Sequence, residues 1–275
     1  KTAVPIGPTI STSDGKKAQN RTYQDLLKNK DDEHNFEQLT LCEIHEVEIN
    51  GTSKLWLEDD MYRNVSFSPD GEYVMITKIE KPFSYLVPYY RFPSRTTIYD
   101  KTAKSIQEVS VVPLIEDLPK GFMAVRTGPR NLQWRSDAAS TIVYIRALDK
   151  GDPAIEVTHR DEALQLEAPF NGRPRLLVKT INRFKSIEWG NDHIAIASDY
   201  WWPTRNTKSY LFDPSNSGIE PTKLTDRNYQ DKYSDPGNPV MHENEYGRQV
   251  LTISKMDIFL IGDGYTEDGQ FPFLS

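Results

Sequence analysis

The sequence predicts an all-β fold of the β-propeller type, and the first indication is a single turn motif. Residues 64–71 read Asn-Val-Ser-Phe-Ser-Pro-Asp-Gly, and the apolar run Tyr73–Ile76 follows them. Pro69 fixes its own φ, Asp70 can hydrogen-bond within the turn, and Gly71 tolerates a positive φ. This chemistry predicts two short antiparallel strands joined by a tight turn.

Two degenerate copies of the motif follow along the chain. Residues 131–137 precede Thr141–Ile145, and residues 186–192 precede Ile194–Ala197. An aromatic residue stands shortly before each polar turn, and the spacings between successive aromatics are 67 and 55 residues for Phe67, Trp134 and Trp189. Common propeller repeats span roughly 40–50 residues, so we expect inserted loops. The repeat predicts a partial propeller of roughly four to five blades, each a four-stranded antiparallel sheet, with a β-sandwich as the alternative.

The N-terminal region differs from the rest of the chain. Residues 1–20 are rich in Pro, Gly, Ser, Thr and Lys and show no apolar period, which favours a loop. Three apolar residues at helical spacing within Arg21–Asn29 predict a short helix or helical turn. We therefore assign residues 1–38 to a loop and short-helix region and residues 39–275 to propeller blades.

From residue 39 onward, short apolar runs alternate with turn residues, which is typical of an all-β chain. The predicted strands are Leu39–Val47, Ser53–Trp56, Tyr73–Lys78, Thr96–Tyr99, Ile106–Val111, Ile142–Ile145, Arg175–Lys179, Ile194–Ser198, Ser209–Phe212, Gln249–Ile253 and Ile258–Ile261.

Composition narrows the classes of partner. The chain has 33 Lys and Arg against 40 Asp and Glu, a net charge of −7, and no dense basic stripe, so nucleic acid is not expected as the main partner. No apolar run approaches the roughly 18–20 residues of a membrane span.

The single cysteine, Cys42, excludes an internal disulfide and is expected to be a small core residue. The chain starts at Lys1 and ends where a new strand begins, so we expect a piece of a longer polypeptide.

Several catalytic and metal-binding patterns are missing from the sequence. No two glycines lie four apart, so the Gly-x-Ser-x-Gly elbow of a serine nucleophile is absent and we assign no catalytic residue. The five histidines show no His-x-x-x-His spacing, and we expect neither a metal site nor a cofactor. Residues 159–161 read His-Arg-Asp, but Leu166 stands where a kinase loop needs Asn. Gly262–Gly269 lacks the ligand pattern of a calcium loop and predicts a surface turn.

Two segments interrupt the strand pattern. Lys81–Pro93 contains three prolines and five aromatic residues within thirteen positions, which is too interrupted by proline for a central strand. The second segment is Asp199–Arg205, with two adjacent tryptophans. Each follows a predicted inner strand, so we expect both to be loops that emerge from one face of the propeller.

Several segments occur in the same order as in one known group of proteins: Arg21–Lys28, Lys81–Pro93, Glu116–Pro119, Trp134-Arg135, Val157–Asp161, Arg205–Lys208, Tyr233–Gly237 and Phe271–Leu274. On these residues the chain resembles the propeller of the glutamyl endopeptidase group within the prolyl oligopeptidase family of serine peptidases. The resemblance extends from about Arg21 to the end. The chain departs from the family pattern at Tyr89, where that pattern has a smaller residue, and at Asn206, where it has a second arginine.

This resemblance implies a parent protein with an N-terminal propeller and a C-terminal α/β-hydrolase domain that carries Ser, Asp and His, none of which falls within this chain. The implied partners are peptide substrates, cleaved after Glu or Asp, and that hydrolase domain. Plant members of the group are chloroplastic, and bacterial relatives are often exported. The implied role is a noncatalytic segment that admits peptides and excludes folded proteins.

Two other functions stay open. Fold alone does not fix function, so a stand-alone propeller that binds proteins or carbohydrates is the alternative. A propeller glycosidase with paired carboxylates would use Glu58–Asp60 and Asp231, although adjacent acidic residues are usually a solvated turn.

Cleavage after acidic residues requires fixed positive charge, and Arg binds a carboxylate with two parallel hydrogen bonds. Within this chain Arg91 is the first candidate and Lys81 the second, because they lie near the two ends of an aromatic, proline-stiffened loop. The alternative is that the tyrosines of this loop and Phe92 seal one blade against another while Arg91 lies at the surface. The candidate substrate-binding residues are Lys81, Tyr85, Tyr89, Tyr90, Arg91, Trp201 and Arg205.

Overall fold

In the computed structural model, which describes residues 23–275, almost all regular structure is β. Two compact units can be distinguished. The described part of the first consists of residues 23–67 together with Glu72–Leu118, and the second consists of Ser68–Gly71 together with Pro119–Ser275. The loop predicted for residues 1–20 lies outside the described residues.

One helix, α1, spans Lys30–Thr40 in the first unit. It begins where it does because the Asn29 side chain accepts hydrogen bonds from the backbone N–H groups of Asp31 and Asp32, at 3.0 and 2.9 Å. Acidic residues in its first turn also suit the positive end of the helix dipole. The prediction of a helix within Arg21–Asn29 is therefore wrong for the part that is described, since residues 23–29 are not helical. Tyr23 and Leu27 from this stretch pack against the core of the first unit, but the backbone around them forms no helical turn.

A two-stranded hairpin follows α1, with β1 at Cys42–Val47 and β2 at Ser53–Asp60. The predicted strand start at Leu39 is wrong because α1 continues through Thr40. The core position predicted for Cys42 is also wrong, since this residue is exposed. Nearly all of β1 is exposed, so the apolar alternation there does not mark a core face.

Three four-stranded antiparallel sheets follow, and in each the strands pair in chain order. This confirms the prediction of an all-β fold built from four-stranded antiparallel sheets of the propeller type. The described residues contain three such sheets, where roughly four to five were expected. All four strands of the first sheet belong to the first unit, and the second and third sheets belong to the second unit. The first sheet contains β3 (Tyr62–Phe67), β4 (Tyr73–Ile79), β5 (Ser94–Asp100) and β6 (Ser105–Val112). The second contains β7 (Arg130–Trp134), β8 (Thr141–Ala147), β9 (Asp161–Glu167) and β10 (Arg175–Thr180). The third contains β11 (Arg183–Asn191), β12 (Ile194–Trp201), β13 (Asn206–Phe212) and β14 (Thr222–Asn228).

The three repeat aromatics lie on the first strand of their sheets. Phe67 pairs with Val74, Trp134 with Ile142, and Trp189 with Ala195, so each stands near the turn to the second strand. The burial of the rings differs, since Trp189 is buried while Phe67 is exposed. The backbone positions agree with the repeat, and superposition of the three rings stays a prediction.

Short strands complete the described chain and form one three-stranded and three two-stranded sheets. They are β15 (Asn238–Pro239), β16 (Met241–Glu243), β17 (Gln249–Leu251), β18 (Ile253–Ser254), β19 (Asp257–Ile258), β20 (Leu260–Gly262), β21 (Tyr265–Thr266), β22 (Gly269–Gln270) and β23 (Phe273–Leu274). The acidic Gly262–Gly269 segment runs from the end of β20 through the β21–β22 hairpin and is largely exposed, as expected of a surface turn.

Each unit has its own apolar core. In the first unit, Met61, Ile79, Val87 and Phe92 pack together beside side chains of α1. In the second unit, residues of the second and third sheets form one cluster around Trp189. Over residues 23–275, no helix has the length and apolar character needed to cross a bilayer.

Candidate functional site

Both interrupting segments connect the second strand of a sheet to the third. Lys81–Pro93 joins β4 to β5 in the first unit, and Asp199–Arg205 contains the end of β12 and the turn into β13 in the second unit. They therefore occupy the same connection in two meanders, in agreement with the expectation that each follows an inner strand. The candidate residues fall into two groups, one in each unit.

Three apolar side chains hold the Lys81–Pro93 segment against its own unit. Val87 and Phe92 are buried, and Phe83 packs against their cluster. The ring centroid of Phe36 on α1 lies 5.1 Å from that of Phe83 and 5.7 Å from that of Phe92, both in edge-to-face geometry. Such pairs contribute about 0.5–1.5 kcal/mol beyond burial. Aromatic packing against Phe36 of α1 therefore holds the segment in place.

The tyrosines of the same segment are more exposed than these apolar side chains, although the Tyr89 ring still lies 6.4 Å from that of Phe36. Tyr85, Tyr89 and Tyr90 are 39%, 51% and 56% exposed, and the rings of Tyr89 and Tyr90 lie 6.0 Å apart. Desolvation, together with the Glu33 carboxylate that accepts from its hydroxyl, raises the pKa of Tyr85 above its ordinary value. Residues 89–91 form a single 3₁₀ turn that keeps the two tyrosines adjacent. The result is an exposed aromatic patch with hydroxyl groups for hydrogen bonding.

Arg91 lies beneath this patch and is only 7% exposed. Its guanidinium carbon is 5.4 Å from the centroid of the Tyr23 ring, and its backbone carbonyl accepts from the N–H of Ile115 at 3.0 Å. Within the described part of the chain, its buried Nη1 has no hydrogen-bond partner and neither does the buried hydroxyl of Tyr23. The alternative that placed Arg91 at the surface is wrong, because the short 3₁₀ turn directs this side chain inward.

Lys81 lies at the start of the segment and is already paired. Its Nζ is 2.7 Å from Glu37 Oε1 on α1 and 5.9 Å from the centroid of the Phe83 ring. The lysine side chain is 58% exposed, so this pair contributes about 0–1 kcal/mol. Lys81 therefore links the segment to α1 through an exposed ion pair that contributes little to stability.

The tryptophans of the second segment each pack against an arginine. The Arg160 guanidinium carbon lies 4.1 Å from the centroid of the Trp201 ring, and that of Arg205 lies 3.8 Å from the centroid of Trp202. The ring of Phe122, which is 79% exposed, lies 4.6 Å from that of Trp202 in a tilted arrangement. Cation–π contacts of this kind contribute about 0.5–2 kcal/mol. Trp201 and Arg205 thus belong to one aromatic and cationic surface of the second unit.

Arg205 has a special backbone conformation. It ends the short 3₁₀ turn at Trp202–Thr204 with φ +57°, and its Nη1 donates to the carbonyl of Trp202 at 2.6 Å. Among residues 23–275 no carboxylate forms an ion pair with it, so its charge is balanced only by dipoles and by the Trp202 ring. It can accept a carboxylate from a ligand.

A buried carboxylate anchors the start of this segment. Asp199 is fully buried and accepts from the backbone N–H and side-chain amide of Asn182, at 2.9 and 3.0 Å, and from the hydroxyl of Tyr210 at 2.8 Å. Burial raises the pKa of Asp199, although these hydrogen bonds oppose the shift. Burial and the negative charge of Asp199 also raise the pKa of Tyr210. These hydrogen bonds hold Asp199 in place just before Trp201 and Trp202 in the chain.

The sequence did not indicate several residues of these two surfaces. Tyr23, Glu33 and Glu37 contact the first segment, and Arg160 and Phe122 contact the second. Most of these contacts join positions about forty or more residues apart, so no local pattern marks them. In the described residues there is no group of three or more His, Cys, Asp or Glu side chains arranged to hold a metal ion.

No family model matches the chain. Over its whole length it is 34% identical to the "Probable glutamyl endopeptidase, chloroplastic" of Oryza sativa subsp. japonica, and it covers 30% of that protein. It is 31% identical to the protein of the same name in Arabidopsis thaliana and covers 29% of it. The chain resembles one segment of these peptidases. It spans less than a third of their length, so it corresponds to a part of such a protein.

The chain also has a likeness to a solved structure. A chain of "Oligogalacturonate lyase in complex with manganese" has a TM-score of 0.43 and 14% sequence identity to this chain. The match covers 84% of this chain and 55% of that one.

Proposed function

We propose that this chain is a noncatalytic propeller segment of a serine endopeptidase, which admits peptides to a hydrolase domain and lines part of the substrate cleft. The observation that carries the proposal is the similarity of the entire chain to about 30% of two proteins named glutamyl endopeptidase. The sequence also lacks a nucleophile elbow, so hydrolysis would depend on residues elsewhere in the parent.

The Lys81–Pro93 segment is the proposed contact with substrate. Its exposed tyrosines, Tyr85, Tyr89 and Tyr90, offer apolar faces and hydroxyl groups on a backbone stiffened by proline. Rigid aromatic side chains lose little conformational entropy on binding, which suits them to this role. The segment is also fixed from beneath by Phe36, so its surface is organised before a peptide arrives.

Arg91 is the proposed source of preference for acidic substrates. A buried charge is costly unless it is compensated, and no carboxylate pairs with Arg91 among residues 23–275. A substrate carboxylate that reaches the small exposed part of the Arg91 guanidinium would recover part of that cost. In the second unit, Arg205 and Trp201 would offer a similar combination of charge and aromatic surface.

The test is the Arg91→Gln variant of the full-length parent, assayed with a peptide cleaved after Glu and with a matched peptide that has Gln at that position. A charged hydrogen bond contributes roughly 1.5–3 kcal/mol, so kcat/KM for the Glu peptide is expected to fall by about ten- to a hundredfold. The value for the Gln peptide should stay nearly constant.

The control is Arg63→Gln, which removes the same charge from an exposed position of the same unit. Arg91→Lys keeps the charge and should retain most of the preference for Glu. An equal fall for both peptides in Arg91→Gln would indicate damaged packing. No change for either would leave acid specificity to the hydrolase domain.

A further inference from the structure

One face of the third sheet carries a row of hydroxyl side chains that crosses all four strands. Ser186 on β11 pairs with Ser198 on β12, Ser198 pairs with Ser209 on β13, and Ser209 pairs with Thr225 on β14. Side chains at directly opposite positions project from the same face of a sheet. With strands about 4.8 Å apart, the row is about 14 Å long.

The other face of this sheet is apolar and belongs to the core. Trp189, Ala195, Ala197 and Phe212 are buried there against residues of the second sheet. The hydroxyl face is therefore not a core face that happens to contain serine. All four members of the row are only partly buried.

The hydroxyl face is covered at one end only. At that end the face carries Ile196 and Leu211, and Leu251 and Ile253 of the following segment pack against them. The polar end opens into a groove with a volume of about 1130 Å³, and the whole row lines it. The opposite wall contains residues 235–239 together with Ile258 and Leu260. All of these residues belong to the second unit.

Glu188 supplies an uncompensated negative charge in this groove. It stands two positions from Ser186 on β11, and its Oε1 accepts from the hydroxyl of that serine at 2.8 Å. No Lys or Arg of the described chain forms an ion pair with it, while Lys185 lies exposed at the rim and weakly opposes its charge. Burial raises the pKa of Glu188 because removing a carboxylate from water disfavours its charged form.

Apart from Glu188 and Lys185, the charged side chains that line the groove are paired with each other. Arg227 Nη2 lies 2.8 Å from Asp235 Oδ2, and Arg227 Nη1 donates to the carbonyl of Asp231 at 2.8 Å. A ligand that enters the groove therefore meets the Glu188 carboxylate, which has no ion pair among the described residues, and the Lys185 ammonium at the exposed rim. A cationic group placed against Glu188 gains a charge-assisted hydrogen bond and relieves the desolvated carboxylate.

The row of hydroxyls indicates what kind of molecule carries that cation. A hydroxyl group both donates and accepts. Ser209 and Thr225 hydrogen-bond each other at 2.6 Å and Ser186 donates to Glu188. The remaining donor and acceptor positions of the row can pair with the N–H and C=O groups of an extended backbone without regard to sequence. A length of about 14 Å corresponds to roughly four residues of extended chain. Pro236 and Pro239 add apolar wall opposite the row.

We propose that this groove binds an extended peptide segment of about four residues and pairs a lysine or arginine side chain of that peptide with Glu188. The preference for a basic side chain is opposite to the one proposed for Arg91. The two proposals concern different units and can fail separately.

The experiment uses two synthetic peptides on the complete 275-residue chain, acetyl-Gly-Lys-Gly-Gly-amide and the same peptide with an acetylated lysine side chain. Titrations followed by ligand-observed NMR give both dissociation constants. We expect the lysine peptide to bind about tenfold more tightly, since a charged hydrogen bond in a partly buried site has that effect. In Glu188→Gln the two peptides should bind equally.

Glu220→Gln is the matched control, because it removes the same charge from an exposed position of the same unit. It should keep the preference for lysine. As a second variant, Ser198→Val keeps a β-compatible residue and should weaken both peptides while their ratio is retained. Equal binding of the two peptides to the unmodified chain, a preference that survives Glu188→Gln, or no binding of either peptide would overturn the proposal.

Discussion

A network of buried charges stabilises the second unit at the level of single residues. The carboxylate of Asp149 is 1% exposed and accepts from both terminal nitrogens of Arg183, at 2.8 and 2.7 Å, and from Arg160 Nη1 at 2.8 Å. Arg183 also donates from Nη1 to Asp161 Oδ1 at 3.1 Å. The same Arg160 packs on Trp201, so the network supports one of the candidate aromatic side chains.

Replacing Asp149 by Asn should strongly destabilise the protein. The change leaves two guanidinium groups without their shared carboxylate, and breaking a buried pair from one side costs about 3–5 kcal/mol. The free energy of unfolding, measured in urea by tryptophan fluorescence, should fall by that amount. Glu156→Gln, an exposed neighbour in the same connection, should change it by less than about 0.5 kcal/mol. Similar values for the two variants would show that the network contributes little.

Glu188 predicts a specific dependence of stability on pH. Its pKa in the folded protein is raised by burial, whereas the unfolded chain has an ordinary value of about 4.3. The stability associated with a raised carboxyl pKa is present below the unfolded pKa and is lost as the pH rises through the folded pKa. Glu188→Gln removes this loss, so its advantage in free energy of unfolding over the unmodified chain should grow from pH 4 to pH 8.

Urea unfolding at several pH values measures this difference. Glu220→Gln provides the reference, and its difference from the unmodified chain should stay nearly flat. A flat difference for Glu188→Gln would mean that its carboxylate is not desolvated in solution.

At the scale of elements, the connection between second and third strands carries the candidate residues of both units. Lys81–Pro93 follows β4, and Asp199–Arg205 contains the end of β12 and the turn into β13. The corresponding connection of the second sheet, between β8 and β9, contains Asp149 and Arg160. In each of the three sheets an irregular loop therefore follows the buried second strand. Loops held by a rigid scaffold in this way commonly carry binding residues.

Close packing of β11 against the following segment depends on one glycine. A Cβ atom on Gly190 would lie 2.7 Å from the carbonyl oxygen of Ile194 and 2.7 Å from Cδ1 of Ile253. Gly190→Ala should therefore force these elements apart and lower the free energy of unfolding by about 1–3 kcal/mol. The measurement is urea unfolding at neutral pH.

The matched control is Gly172→Ala in the same unit, where a Cβ would meet no atom within 4 Å. That variant should be neutral or slightly stabilising, because alanine restricts the unfolded chain. If both variants behave alike, the contact between β11 and Ile253 is looser than the structure indicates.

At the scale of the molecule, the chain is expected to be inactive by itself. A serine becomes a nucleophile when an adjacent base removes its proton and a turn exposes it, and the sequence has no such elbow. The chain should hydrolyse neither Glu- nor Asp-containing peptides above background and should not react with a fluorophosphonate probe. The full-length parent serves as the positive control. Covalent labelling of any serine within this chain would refute the noncatalytic assignment.

Local sequence determined the all-β class, the repeated turn and the first two strands of each four-stranded sheet. Pro69, Asp70 and Gly71 specify a turn through their own backbone preferences, and apolar runs such as Ile142–Ile145 identify buried inner strands. Two strands of these sheets were missed. Most residues of the edge strand β14 are polar, and the inner strand β9 has only a short apolar alternation between charged residues at its two ends. The start of α1 was missed because the cap at Asn29 and the acidic first turn outweigh the apolar spacing before it.

Only the tertiary structure decided what the candidate side chains do. The sequence indicated Lys81, Arg91, Trp201 and Arg205 by residue type, but type does not fix direction. Arg91 is buried beside Tyr23, and Trp201 packs on Arg160, because these partners are brought together from positions 68 and 41 residues away along the chain. The hydroxyl row of the third sheet likewise exists only through strand register, which aligns four separate residues on one face. Backbone preferences act between neighbours in sequence, whereas burial and charge compensation act between neighbours in space.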